Sequence, residues 1–97
     1  MQFDPIVTAH QELAPLVRAL IAVLEDQPAP RDFFQRILDG IENAREGADL
    51  AGPFMELSTS AFLGFQFDAA ATLLLDQTLD RAQQLAQSLA QDGEWLH

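Results

Sequence analysis

The chain has no cysteine. Disulfides, thiolate nucleophiles, iron–sulfur clusters and cysteine-type zinc sites are therefore excluded, and a reducing compartment is the simpler expectation. Lysine is missing too: every basic residue is an arginine, at Arg18, Arg31, Arg36, Arg45 and Arg81. A Schiff-base centre and a phosphate-cradling P-loop both need a lysine, so neither is available. Long apolar runs are also absent. The longest strictly apolar run, Ala19 to Leu24, is far too short to cross a bilayer, and the N-terminal MQFDPIV carries an acid where a secretion signal has basic residues. The sequence reads as cytoplasmic, with no membrane partner.

Positive charge is scarce: 15 Asp+Glu against 5 Lys+Arg give a formal net charge of -10. Binding to a phosphate backbone wants clustered cations, and scattered arginines among three times as many acids disfavour nucleic acid. Anionic membrane surfaces repel such a chain for the same reason. Between Arg45 and Arg81 no basic residue occurs, while Glu46, Asp49, Glu56, Asp68, Asp76 and Asp80 all fall in that interval. An acidic surface of this kind keeps a protein soluble, and it is complementary to a protein partner with a basic surface.

What the chain does contain is helical periodicity. Asp68 to Gln91 is the longest stretch with one clear period and neither Gly nor Pro. Stepping at about 100° per residue gathers Leu74, Leu85, Ala71, Leu89, Ala82, Leu75, Ala86 and Leu79 on one arc, with Asp76, Asp80 and a row of glutamines opposite. A helix with such a Leu/Ala stripe needs partner helices to cover it. The first candidate begins at Asp4-Pro5, an N-cap acceptor followed by a proline whose missing N–H is not needed there, and runs to about Asp26. Its apolar arc, which takes in His10, spans roughly 200° and predicts cover from more than one side. Pro15 inside it predicts a kink near Gln11 to Ala14.

Gln27 to Pro30 reads as the first turn, and Pro30 as the start of a second helix with Phe33, Phe34, Ile37, Leu38 and Ile41 on its apolar face. Asp32 and Arg36 are spaced for an i,i+4 ion pair, Gly40 implies close approach of a neighbouring helix, and Gly47 fits a C-cap. Pro53 opens a third helix carrying Phe54, Leu57, Ala61, Phe62 and Phe65. Were helices three and four continuous, the stripe of Thr72, Leu75 and Leu79 would extend back onto Asp68 and bury a carboxylate, so a break is expected at Gln66 to Asp68, with Gly64 loosening the turn before it and Asp68 as the new cap. Gly93 caps the end, and Trp95 is expected to fold back over an apolar edge. The predicted fold is a single-domain, all-α, antiparallel up-down four-helix bundle, with helices at about 5–26, 30–46, 53–65 and 69–91.

Chemistry is harder to find. A di-metal bundle site needs inward Glu-x-x-His pairs, and none of Glu12, Glu25, Glu42, Glu46 or Glu56 has a histidine three residues on. His10 and His97 are the only histidines, so neither a metal nor a cofactor is expected. His10 reads as a neutral core histidine bonded to a serine or a carbonyl across the bundle. Ser58, Thr59 and Ser60 lack any nucleophile-elbow context and read as back-bonded helix hydroxyls. The carboxylate pairs Glu42/Glu46 and Asp76/Asp80 lie on exposed faces, where no burial tunes them for acid–base work. In size and acidity the chain resembles acyl carrier proteins, which carry their prosthetic group on a serine in an Asp-Ser-Leu context; here no Asp-Ser pair occurs, so that function is not implied.

The expectation is therefore a non-enzymatic, small acidic helical protein acting through protein–protein contacts as an adaptor, inhibitor or regulatory partner. Leu73 projects from the polar face of the last helix with Ala69 beside it, and with Leu16 and Leu20 of the broad first helix it marks an interface for a homodimer. The alternative is a bundle that holds an apolar small molecule in a pocket of Phe33, Phe34, Phe54, Phe62, Phe65 and His10.

Overall fold

The structure, a computed structural model, describes residues 4–59 and 64–92, with side chains as far as 88. Among the described residues it is all-helical, with four helices and no strand. We label them α1 (Pro5–Val23), α2 (Pro28–Asn43), α3 (Ala51–Thr59) and α4 (Ala69–Asp92). The Cα atoms extend over 40 × 23 × 21 Å, and the long dimension is close to the length of the 24-residue α4 at about 1.5 Å per residue.

Helix α1 starts where its cap dictates. Asp4 Oδ1 accepts from the amides of Ile6 at 3.0 Å and Val7 at 3.3 Å, and Pro5 follows at the first helical position. Four residues later the helix widens into a π turn over Ala9–Leu13, in which the Ala14 amide donates to the Ala9 carbonyl. This is the form the expected kink takes. Pro15 has no N–H to give Gln11 and its ring crowds that carbonyl; a wider turn just before it relieves both problems. The bulge also offsets the two halves of the helix by about one residue, roughly 100°.

From the end of the bulge on, Leu13, Ala14, Val17, Leu20 and Leu24 are almost completely enclosed. Each buried leucine contributes about 2 kcal/mol of transfer free energy. Helix α1 packs against both α2 and α4, which accounts for the breadth of its apolar arc; α3 closes the other side, touching α2 and α4. By length and mean hydropathy (1.3) the stretch Pro5–Val23 also matches a membrane span; 28% of it is buried inside the protein, and its Arg18 and Glu12 pair with residues on α2 and α4.

Helix α2 begins two residues earlier than its proline pattern suggests. Pro28 and Pro30 both fit because the first intrahelical bond runs from Arg31 N–H to Gln27 carbonyl, so the first turn needs no proline donors. It also ends earlier, at Asn43 rather than at Gly47. Asp49 is the reason: its Oδ2 takes the amides of Arg45 (3.0 Å) and Glu46 (3.1 Å), the donors that would have continued the helix. Gly47 instead opens a 3-10 turn, Gly47–Leu50, with Gly47 and Leu50 buried, leading into α3. Those two amides, Arg45 first, hold the Asp49 carboxyl below its ordinary value.

Gly40 has the role its position implied: a Cβ there would lie 2.9 Å from Pro53 Cγ, so α2 and the first turn of α3 touch where only glycine fits. Helix α3 is described to Thr59, and Gly64–Asp68 is non-helical, so Phe65 belongs to a connection and not to the face of a helix. Gly64 takes φ 74°, a left-handed conformation that favours glycine. Asp68 then caps α4 through Oδ1 to the Ala71 amide at 2.8 Å. Ser60, Ala61, Leu63, the expected Gly93 cap and the expected fold-back of Trp95 over an apolar edge lie outside the described residues.

Candidate functional site

The buried line of α4 is Ala71, Leu75, Thr78, Ala82 and Leu85, with Leu74, Leu79 and Ala86 half-buried beside it. Thr72, taken above as part of the stripe, is exposed, and Thr78 is the residue enclosed at its centre. Its hydroxyl donates to the Leu74 carbonyl at 2.7 Å, which satisfies the polar group inside the core. The sequence signal was present: Thr78 sits at the middle of the arc made by Leu74, Leu75, Ala82 and Leu85.

His10 is not in the core. The π turn rotates the start of α1 relative to the rest, and the imidazole is exposed beside the end of α2. Nε2 lies 2.9 Å from the Ile41 carbonyl, one of the last of α2, so that nitrogen carries the proton and the histidine caps a helix end. Arg18 and Glu42 form an ion pair next to it, and with Ala14 they line a recess of about 200 Å³. The Ser58 hydroxyl faces elsewhere, donating to the Phe54 carbonyl at 3.0 Å; Thr59 donates to Glu56 at 2.9 Å. His10 and Ser58 thus line separate recesses and form no nucleophile–base pair; Ser60 lies outside the described residues. Among the described residues no cluster of His, Asp and Glu could hold a metal ion.

The phenyl rings meet one another. Phe33 packs edge-on against Phe34 (5.2 Å between centroids) and Phe65 (5.7 Å); Phe67 approaches Phe34 (6.2 Å) and Phe65 (6.1 Å). Extended Phe65-Gln66-Phe67 puts both rings on one side and leaves Gln66 exposed, so the connection seals α2. Of the residues expected to line a phenyl pocket, Phe33, Phe34 and Phe65 thus pack on one another, Phe54 and His10 line two separate recesses, and Phe62 lies outside the described residues. Arg36 stacks over Phe33 at 5.8 Å, and Asp32 sits 3.6 Å from Arg31, so the expected Asp32–Arg36 pair does not form.

Of the expected interface residues, Leu73 is 59% exposed and Ala69 exposed, Leu16 is half-buried, and Leu20 is completely enclosed in the core and unavailable to a partner. The Phe65–Phe67 segment does not cover Leu73. A groove between α3 and α4 has Phe54, Leu57, Leu79, Ala82 and Ala86 as its floor and Ser58 and Gln83 on its edges, enclosing about 330 Å³. A more open cleft of about 460 Å³ lies where Asp4–Ile6 meets Arg45–Ala48. Compared with protein-family models, curated proteins and solved structures, the chain matches none at a significant level.

Proposed function

We propose that the protein is a non-enzymatic interaction module: a small acidic helical protein, cytoplasmic and free of membrane and nucleic acid, that self-associates and engages another protein as adaptor, inhibitor or regulatory partner. The observation that carries this reading is Leu73, 59% exposed in the middle of the polar face of α4, where nothing in the monomer calls for a leucine. Val23 at the end of α1 is 41% exposed as well. The α1 arc adds less to the case, because α2 and α4 cover most of it and leave Val7 (46%) and Val23 exposed. An up-down antiparallel arrangement goes with this reading. Early residues of α1 meet late residues of α2 (His10 with Ile41) and of α4 (Thr8 shares a recess with Ser88).

The ring packing offers no support for an apolar ligand held among the phenylalanines. Light scattering at micromolar concentration tests the self-association: a mass near twice 10.7 kDa is expected, and a mass near 10.7 kDa sinks it. Leu73→Glu then locates the contact. A dimer that survives the added charge places the interface away from Leu73.

A further inference from the structure

Helix α1 keeps an uncovered apolar side. Only 28% of its apolar stretch is buried, and between Glu12 and Glu25 its one charged residue, Arg18, turns away to Glu42 on α2. Leu16, Ala19 and Val23 follow Glu12 at helical spacings of four, three and four, so they lie on the flank that Glu12 shows to Arg81 of α4. Leu16 and Ala19 are half-buried, Val23 is 41% exposed, and Pro15 and Ala22 beside them are exposed. Thr8 shares a recess with Ser88 and Glu12 meets Arg81, so numbers rise along α1 as they fall along α4. Continuing that opposition seven residues past Glu12 brings Ala19 level with Leu73 and Leu74. Leu73 is 59% exposed, Ala69 and Ala70 are exposed, and α4 has no charged residue between Asp68 and Asp76. One apolar, uncharged face thus runs across both helices.

This face is self-complementary about Ala19. Three and four residues before it stand Leu16 and Pro15; three and four after it stand Ala22 and Val23. A two-fold axis lying in the plane of the face, across α1 at Ala19, sets Leu16 against Ala22 of a second copy, Pro15 against Val23, and Leu73 against Leu73. Seven residues to either side of Ala19 are Glu12 and Asp26, so the same axis carries Asp26 of each copy to the Glu12–Arg81 end of the other. Arg81 has the capacity to receive it. Its side chain is 44% exposed, and its bonds to Glu12 (3.2 Å) and Gln84 (3.1 Å) both leave from Nη1, so Nε and Nη2 have no partner among the described residues. Asp26 forms no ion pair among the described residues either.

We propose that the α1–α4 face is the contact of an isologous two-fold homodimer, α1 lying antiparallel to its counterpart about Ala19 and Arg81 bridging Glu12 to Asp26 of the second copy. The proposal rests on the self-association reading and names the surface for it. Burial of Leu16, Val23 and Leu73 supplies the affinity, and the Arg81–Asp26 pair fixes the relative direction of the two copies. A face one α1 long and two helices wide covers roughly 28 by 20 Å per copy, which places the total just above the ~1,000 Å² that a specific interface needs. The net charge of -10 on each copy opposes approach, but at physiological salt charges more than about 8 Å apart are largely screened. The face keeps its own charges at its ends. There Glu12 and Asp80 flank Arg81, so without the arginine that end would repel the incoming carboxylate.

The test uses the full chain at physiological salt, with the dimer constant read by sedimentation equilibrium. Ala19→Glu sets like charges face to face at the axis and should weaken the dimer at least about tenfold, as should Leu73→Glu. Met55→Glu, the same change at a residue 68% exposed on α3, should leave it within about twofold. Arg81→Asp should weaken the dimer as well, and mixing it with Asp26→Arg should restore association, because only the mixed pair has opposite charges at both ends. With one variant labelled with nitrogen-15, native mass spectrometry should show more heterodimer than random pairing gives. Asp26 and Arg81 are both exposed, so this mixing experiment decides the matter even if Ala19→Glu fails to fold by circular dichroism.

A dimer that ignores Ala19→Glu and Leu73→Glu, or pairs at random in the mixture, overturns this face and leaves the self-association reading standing. A parent chain that stays monomeric removes that reading and the proposal with it. A monomer that binds neutral phosphatidylcholine vesicles, and loses them on Ala19→Glu, gives the face to a lipid surface and overturns the dimer.

Discussion

Replacing Gly40 by alanine sets two effects of known sign against each other. In a helix interior the change alone favours folding by about 1 kcal/mol, because alanine has the higher helix propensity. Against this, the new Cβ would lie 2.9 Å from Pro53 Cγ, close to 1 Å nearer than an ordinary carbon–carbon contact of about 3.5–4.0 Å. The obstructing atom belongs to a rigid ring in the first turn of α3, so relief requires moving that helix away from α2. Overpacking of this kind costs about 1–3 kcal/mol. The net expectation is a loss of up to about 2 kcal/mol, seen as a lower urea midpoint by circular dichroism at fixed protein concentration. Pro53→Ala provides the internal control. It removes the ring atoms at 2.9 and 3.7 Å and leaves only the Cβ at 3.9 Å, so in that background Gly40→Ala should stabilise. The cycle therefore predicts a coupling of about 1–3 kcal/mol. Gly40→Ala that stabilises both backgrounds equally would refute the close approach.

Other positions give sharp expectations. Asp68→Ala removes the acceptor for the Ala71 amide and should lower stability by about 1 kcal/mol, with Asp68→Asn recovering most of it in the same urea assay. Thr78→Val deletes a hydroxyl whose partner, the Leu74 carbonyl, keeps its helical N–H, so no acceptor is orphaned; the change should be within about 1 kcal/mol of neutral, and a loss above about 2 kcal/mol would reveal a further role for the hydroxyl. Asp49 is held below its ordinary value of 3.8 by the Arg45 and Glu46 amides, so its contribution is complete above 3.8 and fades as the pH falls through the lower folded value. Asp49→Asn should accordingly flatten the acid limb of the stability–pH curve, and an unchanged limb would refute that assignment. His10→Ala strips a donor from the end of α2 and should cost about 1 kcal/mol, read as a lower urea midpoint.

The sequence alone determined the helical class, the cap at Asp4, the break before α4 and the contact at Gly40, because each follows from local chemistry. A carboxylate ahead of a helical run accepts amides only a few residues away, and a proline restricts only its own neighbours. Periodicity likewise placed Ala71, Leu75, Ala82 and Leu85 in the core without any knowledge of what they touch. Its failure at His10 has a definite cause: projection assumes an unbroken 3.6-residue turn, and the π turn before Pro15 breaks that assumption, moving the imidazole to the end of α2. The end of α2 was also hidden, since Asp49 competes for amides from beyond the helix, and propensity at Gly47 carries no record of that competition. Whether the phenylalanines enclose a space or meet one another was a matter of three-dimensional packing, and Phe33, Phe34 and Phe65 pack together with Phe67. The groove between α3 and α4 belongs to the same category: its floor comes from both helices together, and only their packing, not the pattern of either helix, could bring Phe54 opposite Leu79.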